Sequence, residues 1–195
     1  MVVAGISLEV DKLGSLKAIG VKDSKLLSPH VRTRLVYEIE EIATEVAYVI
    51  VHPREIDEIV MHGKKLYKLN YLEAKAMAEV IAKLRPDVAY VDASDVLEDR
   101  FERTIRGLVP FSVKIISEHY ADKKYPIVSA ASILAKVKRD ELVEEIKVKY
   151  GDFGSGYSSD PKTRRFLIEW SRMHGAYPDF VRKSWKTIKN LNDAL

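Results

Sequence analysis

Along residues 2–10 the side chains alternate, with Ile6, Leu8 and Val10 on one side and Ser7 and Glu9 on the other. That two-residue repeat predicts a strand with one buried face. The repeat then changes to a helical one. In "SPHVRTRLVYEIEEI" the apolar positions Val31, Leu35, Ile39 and Ile42 form a stripe, with Ser28 as N-cap and Pro29 in the first turn. A second apolar run, Val46–Val51, predicts a strand that stops before Pro53. Two helical segments fill 54–84, the longer being "YLEAKAMAEVIAKL", which ends at Arg85-Pro86 because a residue preceding proline avoids the helical region.

"VAYVDA" and "FSVKIIS" predict a third and a fourth strand, and between them Leu97, Phe101, Ile105 and Leu108 mark a helix ending near Gly107. From Pro126 onward the pattern is helical. One helix runs from about Ile127 to Tyr150 and stops at Gly151, and another opens at Asp160-Pro161 and closes at His174-Gly175. A last amphipathic piece carries Trp185, Ile188 and Leu191. Strands separated by helices predict an α/β sheet with helices on its face or edge. The 195 residues read as one domain, a sheet-and-helix core over 1–150 and a helical extension over 151–195.

Composition narrows the chemistry. The chain has no Cys, which excludes disulfides, thiolate metal sites and cysteine nucleophiles. No run of eighteen apolar residues exists, and "MVVAGISLEV" lacks the basic flank of a signal peptide, so a cytoplasmic protein without a membrane partner is expected. A monomer is also expected. Thirty-two basic against 29 acidic residues give a net charge of only +3. The distribution is uneven, because Lys162, Arg164, Arg165, Arg172, Arg182, Lys183, Lys186 and Lys189 face only Glu169 and Asp179 over 161–189. Such a segment either tracks a phosphate backbone or is a solvated helix face.

The acids in "YVDASD" raise the sharper question. Asp95 precedes a helix and Glu98 follows three residues later, the pattern of a capping box. Asp92 ends an apolar strand, where a carboxylate is costly unless it is paired or bound to a cation. Strand C-terminal ends are also where open α/β sheets place their sites. Asp122, in "SEHYADKKYP", follows the next strand and could partner Asp92, but the residues alone favour a solvated acid offset by Lys123 and Lys124. Small residues at Ser129–Ser132 and Ala135 permit close backbone approach, and Gly154 and Gly156 in "GDFGSGYSSDP" shape a loop that presents Tyr157.

Taken in order, "VKDSKLLSP" (21–29), "YVDASDV" (90–96), "SEHYADKKYPIVSAASILAKVKRD" (117–140), "YGDFGSGYSSDPKTRRFL" (150–167) and "VRKSWKT" (181–187) resemble ribonuclease HII in its archaeal form. The resemblance implies a ribonuclease H-like fold: a mixed central sheet flanked by helices, with a helical C-terminal extension. It implies hydrolysis of RNA in RNA–DNA hybrids and incision at ribonucleotides in duplex DNA, with two ions of Mg²⁺ or Mn²⁺. By motif, Asp92 and Asp122 are metal-binding carboxylates and Tyr157 stacks near the ribose to sense its 2′-hydroxyl. Lys25, Lys136 and Arg182 become phosphate contacts.

The chain departs from that pattern in one place. The family's Asp-Glu-Ala-Gly-Arg-Gly at the end of its first strand, which supplies two further carboxylates, is absent, and "MVVAGI" runs straight into "SLEVDKLGSLKAIGVKDSK". This reads as a truncated first β-hairpin, leaving four strands where the family has five. Two acids offset only two of the four charges that a pair of divalent ions brings. The alternative expectation is therefore a catalytically silent relative that still binds hybrid or duplex.

Overall fold

The computed structural model describes residues 1–62 and 68–192. The segment 63–67, inside the expected helical run 54–84, lies outside them. Two compact units are formed. One comprises Val2–Ile50 and Asn70–Lys138; the other comprises Met1, Val51–Leu69 and Arg139 onward.

Among the described residues there are four strands, all in the first unit. β1 (Val2–Ser7) pairs antiparallel with β2 (Glu45–Ile50), in a register running from Val2 opposite Ile50 to Ser7 opposite Glu45. β3 (Val88–Asp92) pairs parallel with β4 (Lys114–Glu118), bringing Asp92 opposite Glu118. The sheet content is thus mixed, as expected, but it comes as two pairs. Among the described residues no ladder joins β1 to β3.

β1 is a single uninterrupted strand whose partner lies beyond α1 (Leu13–Ala18) and α2 (Pro29–Ile42). It is shorter than its alternation predicts. The chain turns at Glu9 into a 3-10 turn, Val10–Lys12, and Val10 is 81 % exposed instead of facing a core. The cap of α2 is as read: the Ser28 Oγ accepts from the Val31 N–H at 3.4 Å.

α3 (Pro53–His62) and α4 (Lys68–Leu84) follow β2. Ala74, Ala78 and Ile81 of α4 pack with Ala89 and Val91 of β3, Ile115 of β4, and Phe101 and Ile105 of α5 (Glu98–Leu108). Further along, α4 lies so close to β1 that a Cβ at Gly5 would stand 2.4 Å from the Val80 Cγ1. One helix therefore covers parts of both strand pairs, and only glycine fits at that contact. A second core joins Ile6, Leu16, Leu35 and Ile39 to Ala130, Ile133 and Leu134 of α7 (Pro126–Tyr150).

The other unit is helical. α8 (Pro161–His174) is capped by Asp160 and ended by Gly175 at φ 68°, and α9 (Lys186–Asn192) closes the described chain. Leu167, Val181 and Ile188 form its buried centre, with Phe166, Phe180 and Trp185 packed around them. Tyr150, Phe153 and Phe180 extend the cluster at ring separations of 4.7 and 5.4 Å.

Candidate functional site

Asp92 and Asp122, which end and follow neighbouring strands, both belong to the first unit, and the charge of Asp122 acts on the Asp92 carboxyl. Asp92 is the last residue of β3. After β4 the chain turns through Tyr120 in the left-handed region (φ 58°) into the single turn α6 (Ala121–Lys124). That turn brings the Ala121 N–H to the Asp92 Oδ1 at 2.9 Å. Asp122, the next residue, is buried at 7 % exposure, which decides against the solvated-acid reading. Its carbonyl accepts from the buried Ser129 hydroxyl on α7, so the first of the small residues in "SAAS" serves this turn directly.

The electrostatics show that the pair shares one neighbourhood. Burial pushes the Asp92 carboxyl above its ordinary value, the Ala121 N–H draws it down, and the negative charge of Asp122 pushes it up again. Lys25 and His119 act in the opposite sense. The net upward direction means that the charge on Asp92 is under-compensated within the folded chain. A pair of this kind is suited to receive a cation.

Lys25 therefore belongs to the same neighbourhood. It lies on a 3-10 turn, Ser24–Leu26, where its N–H donates to the Asp23 Oδ1 at 3.0 Å. The buried Arg32 guanidinium fixes that turn by donating to the carbonyls of Leu27 at 2.7 Å and Ser24 at 3.2 Å. Lys136 is half-buried on α7 in the same unit. Tyr157 and Arg182 belong to the other unit, so sequence reasoning put six residues in one list that the structure distributes over two bodies.

In that second unit Tyr157 is 44 % exposed and lies over the Arg139 guanidinium, 4.1 Å from ring centroid to Cζ. Gly156, at φ 71°, allows this approach, because a Cβ there would stand 3.0 Å from an Arg139 Nη. Asp160 ties the loop down: one oxygen accepts from the Ser155 N–H and hydroxyl and the other from the Lys162 N–H, which draws its carboxyl to about 2. Arg182 donates from Nε to the Ser184 Oγ at 3.0 Å.

Asp95 is not the cap of α5. Leu97 occupies the N-cap position without a side-chain bond. Asp95 instead is buried, accepts from the Leu97 N–H at 3.0 Å and pairs with Arg100, whose hydrogen bonds hold its carboxyl below the ordinary range. Glu98, the other half of the expected capping box, reaches the His119 N–H. Arg100, five residues on, adds a charged, forked pair of donors to the Leu97 N–H, so Asp95 serves an ion pair as well as a local turn. Sequence reasoning also missed Arg32 and Asp57. Asp57 falls beside the Ile56–Val60 stripe of α3, which was its only local signal.

Two carboxylates suit one hard divalent ion whose remaining positions would be filled by water and a phosphate oxygen, and Lys25 beside Asp92 suits that phosphate. Among the described residues no group of three His, Cys, Asp or Glu is positioned to hold a metal. Glu9 is exposed at the 3-10 turn and adds no third ligand. The donor set therefore fits one ion and not a pair.

The family model described as Ribonuclease HII matches residues 1–188. The Ribonuclease HII of Pyrococcus abyssi is 44 % identical over 195 residues, spanning 99 % of this chain and 84 % of the relative. That of Methanosarcina mazei is 43 % identical over 100 % and 91 %. Among solved structures, the ribonuclease H2 from Pyrococcus horikoshii superposes with a TM-score of 0.86 at 38 % identity, covering 100 % of this chain and 98 % of the other. The ribonuclease HII in a complex with PCNA from Archaeoglobus fulgidus gives 0.85 at 42 % identity, over 97 % and 88 %. A ribonuclease HIII solved with Mn²⁺ shares the fold at 18 % identity, with a TM-score of 0.79.

Proposed function

This chain belongs to the ribonuclease HII family, endoribonucleases that hydrolyse RNA in RNA–DNA hybrids, and from that premise we propose that Asp92 and Asp122 hold the divalent ion of its reaction. The observation that carries the proposal is the under-compensated charge of Asp92 beside the buried Asp122. When bound, Mg²⁺ or Mn²⁺ supplies charge stabilisation at the scissile phosphate and activates water. Ala121 fixes the Asp92 oxygen through its N–H, and Ser129 fixes the turn that carries Asp122. Lys25 and Lys136 contact the phosphate backbone in the first unit; Arg182 does so in the second. Tyr157, braced by Arg139, stacks on the ribose at the 2′-hydroxyl and extends the substrate range to single ribonucleotides in duplex DNA.

A second reading follows from the lack of a third ligand among the described residues: a protein that binds hybrid and duplex without cutting them. Incubation of the chain with a duplex carrying one ribonucleotide, with Mn²⁺ present, separates the two. Hydrolysis at the ribonucleotide that falls on the order of 10²–10³-fold in Asp92→Asn supports the metal-dependent nuclease. Salt-sensitive binding with no product at any Mn²⁺ concentration supports the silent binder.

A further inference from the structure

Asp57 is a buried carboxylate with no part in the chemistry described above. It lies on α3 at 9 % exposure. Its Oδ2 accepts from the Lys183 N–H and its Oδ1 from the Ser184 N–H, both at 2.8 Å. Two consecutive backbone donors are thus gripped by the two oxygens of one side chain, 126 and 127 residues away in sequence. The segment so held has little regular structure between the end of α8 at His174 and the start of α9 at Lys186.

Arg182 is the residue before the gripped pair. The chain around it is fixed at three further points: Val181 is buried in the unit's core, the Trp185 N–H donates to the Arg182 carbonyl at 3.2 Å, and the Arg182 Nε donates to the Ser184 Oγ at 3.0 Å. The Ser184 that receives the guanidinium is therefore the residue whose N–H Asp57 holds. A flexible arginine becomes a defined donor only when its backbone and its side-chain partner are both held, and here one carboxylate does both.

We propose that Asp57 is a positioning residue for substrate: by clamping Lys183 and Ser184 it sets the Arg182 guanidinium to meet a phosphate of the bound duplex. This rests on the assignment of Arg182 as a phosphate contact. Unlike a purely structural carboxylate, Asp57 acts on binding through a single named side chain.

A double-mutant cycle on hybrid binding tests it, using the full chain, a fluorescent RNA–DNA hybrid and a series of salt concentrations. Arg182→Ala is expected to weaken binding by roughly tenfold and to lower the salt slope by about one contact. Asp57→Ala is expected to do the same, and the double variant to bind no more weakly than Arg182→Ala alone. The Lys183 and Ser184 amides should exchange hydrogen at least about tenfold faster in Asp57→Ala. Asp57→Asn, which keeps the side-chain volume and one acceptor, carries the same cycle if the alanine variant lacks a cooperative melt. Additive losses in the double variant, or unchanged affinity in Asp57→Ala and Asp57→Asn, overturn the inference while leaving the Arg182 contact standing. An Arg182→Ala protein that binds like wild type overturns the contact and the inference together, whereas the carboxylate pair in the first unit is untouched by either result.

Discussion

The loop around Asp160 and the strand end at Asp92 use the same functional group to opposite effect. Asp160 accepts from the Ser155 N–H and hydroxyl and the Lys162 N–H, and its carboxyl falls to about 2. Asp92 accepts from the Ala121 N–H, has Asp122 for a neighbour, and is pushed up by burial. One acid is satisfied by the protein and holds a loop in shape. The other is left short of positive charge, which supports the proposal that it holds a cation. The two carboxylates differ in burial and in hydrogen bonding, a difference that neither an apolar strand nor a glycine-rich loop displays as sequence.

That contrast can be broken or sharpened. The largest effect is expected at Gly154, which has φ +85° and whose Cβ would stand 2.6 Å from the Asp160 Oδ2. Gly154→Ala should cost about 1–3 kcal/mol in a denaturant melt, because it adds a strained backbone and displaces the acid from its donors. A variant with unaltered stability would show that the loop is not held by Asp160.

A smaller effect separates the two acids by pH. The Asp160 carboxyl titrates lower in the folded than in the unfolded chain, so its contribution is present above about pH 4 and is lost as pH falls toward 2. Asp160→Asn should therefore lower the Tm at neutral pH and flatten its decline through that acid window. For Asp92 the sign reverses. Its folded value is raised, so ionisation costs stability as pH rises above the ordinary carboxylate value, and Asp92→Asn should raise the metal-free Tm slightly at pH 7. Melts of both variants between pH 2 and 7 check the pair, and shifts of the same sign at neutral pH would erase the distinction between them.

Much of this was legible in the sequence where the cause is local. Ser28-Pro29, Asp160-Pro161 and His174-Gly175 mark helix ends because capping needs only neighbouring residues, and each boundary stands where those residues place it. The six-residue register of β1 on β2 and the cover of α4 over both strand pairs depend on residues far apart in sequence, as at Gly5 and Val80. The short turn α6 has no periodicity to read. Yet it delivers the Ala121 N–H to Asp92 and carries Asp122, a placement that reading "FSVKIIS" as a strand did not show. Asp95 was misread for the same reason: local spacing showed a cap, and Arg100 decided otherwise. Motif order, by contrast, identified the family that the comparisons support over residues 1–188.

The most direct measurement is Mn²⁺ binding followed by electron paramagnetic resonance on the wild-type chain, Asp92→Asn and Asp122→Asn. The account predicts one ion per chain, with affinity falling by at least roughly tenfold in each variant because both carboxylates serve the same ion. Equal affinity in all three proteins would contradict it.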